Sequence, residues 1–177
     1  IHNILNDSRS VNGVLRHYAW MAEEWNRTGN RTDFLVAKAG FPQLQELAPS
    51  ARLISSDNFF NATKHINQTW RYFPAYAWRM LTVHWTRLPE KYDVVYASGP
   101  FIFEIYPTLV LRRRLNAALA TKIHHTVSAQ AKRRGIVDRL FFMSERISAI
   151  WMNRHADAVI CSTPLVGADF DDLERRS

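Results

Sequence analysis

The opening of the chain constrains its fold most. An apolar run, Ile1-His2-Asn3-Ile4-Leu5, leads through a polar stretch at residues 6–12 to Gly13, and residues 14–28 then carry a helical pattern. Gly29 and Asn30 stop that pattern, and Thr32-Asp33-Phe34-Leu35-Val36-Ala37 reads as a second strand. Strand, glycine-led helix, strand is a βαβ unit, which puts the two strands parallel with the helix packed on one face. The helix begins just after a strand, so its free N–H groups, worth about half a positive charge, point at the rim of the sheet, where anions bind. Gly13 stands where backbone approaches something closely.

The rest of the chain repeats the alternation. Residues 40–48 form a short helical segment, and Ala51-Arg52-Leu53-Ile54-Ser55 is a third, weak strand. Over residues 61–88 Phe73, Tyr76, Ala77, Met80, Leu81, His84 and Leu88 recur at helical spacing and predict a buried stripe, with Pro74 near its start. Asp93-Val94-Val95-Tyr96-Ala97 is the fourth strand, turned by Ser98-Gly99-Pro100, and a helix with Pro107 inside it covers 101–114. Ala120-Thr121-Lys122-Ile123-His124-His125 is the fifth strand. Val137, Leu140, Phe141, Ser144, Ile147, Ser148 and Trp151 mark the buried stripe of the next helix. Asp157-Ala158-Val159-Ile160-Cys161-Ser162 is the sixth strand, and a last helix begins near Pro164. No tight hairpin signal interrupts the series. The pattern predicts an α/β fold: one Rossmann-like, doubly wound parallel sheet of six or seven strands, order 3-2-1-4-5-6, with helices on both faces and a single domain over residues 1–177.

Bulk properties fit such a domain. With 177 residues the chain can bury a real core, and no apolar run nears the roughly 20 residues of a membrane span. The single cysteine, Cys161, excludes an internal disulfide. It lies in an apolar run, so it reads as a buried inert thiol, compatible with a reducing cytoplasm. The net charge of +7, clustered in part at Arg112-Arg113-Arg114 and Lys132-Arg133-Arg134, favours anionic partners. Asn-x-Ser/Thr triplets at Asn6, Asn26, Asn30, Asn61 and Asn67 are read as compositional.

Parallel α/β sheets bind ligands at the carboxyl ends of their strands. Residues 7–13 follow the first strand, Ser98-Gly99-Pro100-Phe101 the fourth, His124-His125-Thr126 the fifth and Ser162-Thr163-Pro164 the sixth. Each alone can be a turn or cap residue. Together they predict that Gly13, Ser98, Gly99 and His124 line one open cleft on a common rim. A nicotinamide enzyme is excluded, because the first turn lacks G-x-G-x-x-G and the second strand ends in Ala37-Lys38 rather than an acid.

A family resemblance now adds to this reading. Asn12-Gly13-Val14-Leu15-Arg16-His17, followed by Met21-Ala22-Glu23-Glu24-Trp25-Asn26-Arg27-Thr28-Gly29-Asn30, resembles the opening of GT-B glycosyltransferases of the family 4 type. Asp93-Val94-Val95-Tyr96-Ala97-Ser98-Gly99-Pro100 is similar to that family's fourth strand and turn. Lys122-Ile123-His124-His125 is similar to the end of its fifth strand, and His155-Ala156-Asp157-Ala158-Val159-Ile160-Cys161-Ser162 to its sixth. Three positions depart from the pattern: Asn12 replaces the first glycine of the loop, Ser98 a histidine, and His125 an aspartate. Asparagine tolerates a left-handed backbone, so the turn survives. The resemblance is to the N-terminal, acceptor-side half only, so a C-terminal donor-binding domain of the same protein is an expected partner and the isolated segment is expected to be inactive.

The resemblance implies metal-independent, retaining transfer of a sugar from a nucleotide-sugar donor to a saccharide or lipid-linked acceptor, as in building cell-envelope polysaccharide, with no cofactor. His124 would act on the donor sugar as the catalytic residue. Asn12 and Gly13 would hold the donor phosphates, and Arg16, Ser98, Gly99 and His125 the acceptor. Asp169-Phe170-Asp171 lies inside the last helix and reads as solvated acids rather than a metal site.

Trp70, Arg71, Trp78, Arg79, Trp85 and Arg87 set aromatics beside cations. That composition suits a core or domain contact, or, where exposed, an anionic membrane surface on the cytoplasmic side. Two other classes stay open. One is a basic nucleic-acid-binding domain, for which no recognition motif is present, so no nucleic acid is expected as a partner. The other is a non-catalytic carbohydrate- or partner-binding module.

Overall fold

A computed structural model describes residues 2–3, 13–56, 69–88, 91–124 and 136–175. The chain forms two compact units, Ile1–Tyr92 and Asp93–Ser177.

In the first unit, strand β1 (His2–Asn3) precedes helix α1 (Gly13–Arg27) and strand β2 (Asp33–Val36). A 3-10 turn (Lys38–Gly40), helix α2 (Phe41–Leu47), strand β3 (Arg52–Ser55) and helix α3 (Thr69–Thr82) follow. Both pairings are parallel: His2 is level with Phe34 and Asp33 with Arg52, giving the order β3-β2-β1. The βαβ expectation for residues 1–37 therefore holds within the described residues; Ile4 and Leu5 lie outside them. All four residues of β2 are buried, as befits a strand between two neighbours and covered on both faces. Leu15, Tyr18, Ala19 and Ala22 are the buried row of α1. That helix ends as its sequence predicts. Gly29 adopts φ +88°, the Gly29 N–H bonds the Asn26 carbonyl at 3.1 Å and the Asn30 N–H the Trp25 carbonyl at 3.0 Å. These are the paired bonds of a Schellman stop, in which glycine takes the left-handed position.

At the amino ends of β2 and β3 a buried carboxylate is hydrogen-bonded through one of its two oxygens. Asp33 Oδ2 accepts from Tyr92 Oη at 2.6 Å and from Arg52 Nε at 2.9 Å, and Arg31 Nε lies 3.6 Å from Oδ1. Burial, then the bond to Asp33, pushes the Tyr92 hydroxyl up to about 12. This cluster is on the edge opposite to strand carboxyl ends and holds the fold together there.

In the second unit, strand β4 (Val94–Ala97), helix α4 (Ile102–Leu115), strand β5 (Ala118–Ile123), helix α5 (Ile136–His155), strand β6 (Ala158–Cys161) and helix α6 (Pro164–Arg175) alternate. β4, β5 and β6 pair in that order, all parallel. Their core joins Ala97, Ile105, Leu109, Leu119, Ile123, Ala149, Met152 and Phe170. Helix α4 runs through Pro107 and ends on Asn116, whose φ of 52° is left-handed. Asp157 anchors the start of β6: Oδ2 accepts the Leu119 N–H at 2.7 Å, while Arg112 donates to Oδ1 at 3.2 Å. That backbone N–H holds the Asp157 carboxyl below the usual carboxylate range.

The described pairings form two runs of three parallel strands, 3-2-1 in the first unit and 4-5-6 in the second. Two expectations are corrected. Helix α3 and the turn after it bury Ala75, Arg79 and Val83, whereas Ala77, Leu81 and His84, expected inside, are exposed. Helix α5 buries Ser144 and Ser148 as expected, together with Glu145, Ala149 and Met152, whereas Leu140 and Ile147, also expected inside, face outward. In both helices apolar residues occur nearly all round, so a stripe counted from the sequence can be a residue, about 100°, out of phase. Arg79 earns its inward place by donating to the Leu35 carbonyl at 3.2 Å.

Candidate functional site

Gly13 is the first residue of α1, and Arg16 follows one turn later on the same side; both are exposed, and the first turn holds no acid. A Cβ added at Gly13 meets no described atom within 4 Å. The protein itself does not demand glycine there, so the close approach inferred from the sequence is not one made by a described protein atom. Asn12 lies outside the described residues.

The second unit collects the other candidates on one rim. Ser98, Gly99 and Pro100 leave the end of β4 and are all buried. Ser98 Oγ donates to Glu104 Oε1 at 3.1 Å. Glu104, 7% exposed, stands three residues past the N-cap Phe101 and reaches back toward the turn, as the acid of a capping box does. A Cβ at Gly99 would lie 2.1 Å from its Oε2, so the carboxylate occupies the space that a side chain at 99 would need. The helix start has a second support: Phe101 offers no side-chain cap, and the Ile102 N–H donates instead to Ser144 Oγ of α5 at 2.8 Å.

His124 follows directly on β5 and is half-buried. The Ser162 N–H donates to the Ile123 carbonyl at 2.9 Å and Ser162 Oγ to the His124 carbonyl at 2.7 Å. Register pairs Ala97 with Thr121 and Ile123 with Cys161. His124 is thus level with Ser162 and stands two residues, about 6–7 Å, beyond the level of Ser98. Next to it, Thr163 Oγ1 accepts the Val166 N–H at 3.2 Å and caps α6.

The structure therefore gathers Ser98, Gly99 and His124 at the carboxyl ends of neighbouring strands in one unit, with Gly13 and Arg16 in the other; His125 lies outside the described residues. Glu104 was missed by the sequence reading. Its signal was present, an acid three residues after a helix start, but nothing local says that the acid is buried against Gly99. Cys161 is half-buried; burial, then the charge of Asp171, pushes its thiol up, which fits an inert role. Asp169 and Asp171 flank the buried Phe170 within α6.

A family described as glycosyl transferase 4-like domain covers residues 12–176, which supports the family 4 part of the resemblance drawn from the strand-end motifs. No curated protein matches the chain.

Proposed function

The chain belongs to the glycosyl transferase 4-like domain family, and from that premise we propose that it serves retaining, metal-independent sugar transfer from a nucleotide-sugar donor to a saccharide or lipid-linked acceptor. The observation that carries the reading is the family match across residues 12–176. In the reaction the bond from the sugar's anomeric carbon to the donor diphosphate breaks. A bond to an acceptor hydroxyl oxygen forms, that hydroxyl gives up its proton, and a nucleoside diphosphate departs. The N-terminus of α1, open at Gly13 and flanked by the Arg16 cation, suits the charge that develops on the departing diphosphate. His124 supplies a hydrogen bond to the donor sugar. Ser98 and Gly99 shape the acceptor side, held by Glu104. Asn12 and His125 keep their proposed roles toward donor and acceptor. The single cysteine agrees with work in the cytoplasm.

The test is sugar transfer by the complete protein from a panel of nucleotide donors. His124→Ala should lower kcat/KM by about 2–4 kcal/mol, the loss of one charge-stabilising hydrogen bond, with an unchanged melting temperature. Gly13→Val should raise the donor KM while leaving melting unchanged, because the new side chain meets the ligand and no described part of the protein. Unchanged turnover in both folded variants would refute the assignment.

A further inference from the structure

A groove of about 360 Å³ opens on the first unit beside the second half of α1, a volume in the range of small-molecule sites. Trp20, Glu23, Glu24, Asn26 and Arg27 of α1 line it, with Ser50 from the segment between α2 and β3. Its polar side chains fix one another. Glu23 Oε1 accepts the Ser50 N–H at 2.8 Å and the Ser50 hydroxyl at 2.7 Å. Asn26 Nδ2 donates to Ser50 Oγ at 2.7 Å, while Asn26 Oδ1 accepts the Thr32 N–H at 2.7 Å. Arg27 donates to both oxygens of Glu24, through Nε and Nη2. These bonds leave capacity unused. Among the described residues Glu23 Oε2 accepts nothing, and Asn26 Nδ2 keeps a second N–H. Arg27 Nη1 and the Trp20 indole N–H also donate to none of them. Trp20 is 63% exposed, with its ring tilted against that of His17 at 6.2 Å.

The unused groups select a ligand chemistry. A cation would engage acceptors alone and an anion donors alone, whereas here a spare carboxylate oxygen stands among spare N–H groups. A hydroxyl both donates and accepts, so a neutral polyol engages the whole set. The exposed indole adds an apolar platform, and the C–H face of a sugar ring suits the negative face of its π-system. We propose that this groove binds a saccharide, with a sugar ring on Trp20 and its hydroxyls bonded to Glu23 and Asn26. At 1.5 Å per residue Trp20 stands about 10 Å, and Arg27 about 21 Å, along α1 from Gly13, so the groove is separate from the helix start assigned to the donor phosphates. The inference goes beyond sugar transfer and does not depend on it, since binding is read without turnover.

The experiment is titration of the isotopically labelled chain with cellotetraose, maltotetraose and chitotetraose, each to about 10 mM, read by amide chemical shifts. At least one should shift residues 20–27 and 50, and by the same amount when salt is raised to about 0.5 M, because the ligand is uncharged. Trp20→Ala should weaken that binding about tenfold or more. Glu23→Gln keeps an oxygen for Ser50 but removes the spare acceptor, and should weaken it about threefold or more. Trp85→Ala is the control: Trp85 is 73% exposed but does not line the groove, and its loss should change nothing. Circular dichroism confirms that each variant is folded. No shift at residues 20–27 with any of the three saccharides, shifts at Gly13, Ser98 and His124 in their place, or full binding by the folded Trp20→Ala variant would each overturn the proposal. So would binding of choline in the groove where the saccharides fail, which would make it a cation site.

Discussion

Gly99 and Glu104 define each other. The carboxylate fills the space beside the glycine, is nearly buried, and accepts from Ser98. Gly99→Ala should therefore destabilise the protein by about 1–3 kcal/mol, because a buried, bonded carboxylate must move to admit one methyl group. In a Glu104→Ala background the same change should cost much less, giving a coupling above about 0.5 kcal/mol in a urea-denaturation cycle. Additive costs would show that the carboxylate is not what excludes a side chain at 99. Tyr92 makes a second prediction at this scale. Its folded pKa, about 12, lies above the unfolded value near 10. The unfolded chain thus loses its proton first as pH rises. Stability is full below pH 10 and falls between about 10 and 12. Tyr92→Phe should flatten that part of the stability-versus-pH curve while lowering stability at neutral pH through the lost bond to Asp33.

At the scale of elements, helix starts decide where the candidate residues stand. The start of α4 leans on α5 through the Ile102 N–H and Ser144 Oγ. Ser144→Ala should cost about 1 kcal/mol, the usual worth of a cap, and should also loosen the Ser98–Gly99 turn just before α4. Chemical denaturation checks the first effect and amide exchange at residues 98–102 the second. An unchanged exchange pattern would show that the turn is held by Glu104 alone. The end of α1, in contrast, is self-contained. Gly29 and Asn30 close it with bonds to Asn26 and Trp25, so its boundary was readable from a few neighbouring letters.

At the scale of the molecule, a charge of +7 draws polyanions generally. Binding to random-sequence DNA should therefore be weak and should fall steeply with salt, in proportion to the number of phosphates met. Binding of a nucleotide-sugar donor should survive about 0.2 M salt, because it rests on a few directed contacts. Oligonucleotide binding that persists at that salt, with no donor binding, would favour the nucleic-acid reading instead. No helix among the described residues is long and apolar enough to cross a membrane, so contact with lipid, where it occurs, is contact at a surface.

The sequence by itself determined the order and type of the elements. Alternating runs such as Phe34-Leu35-Val36 and Val94-Val95-Tyr96 are short and apolar, and the stretches between them are long and helical. Parallel pairing within each run then follows from chain connectivity. It also placed Ser98, Gly99 and His124 at strand ends, because turn residues are local signals. Tertiary structure alone decided which way α3 faces, and it turned α5 so that Glu145, Ala149 and Met152 are buried in place of Leu140 and Ile147. Both helices are apolar nearly all round, so their own periodicity leaves the phase open. For α3 the phase was set by what it could reach, the Leu35 carbonyl for Arg79. The same reason hid Glu104. A carboxylate on a first helical turn reads as solvated until the chain folds back and puts a residue without a side chain against it.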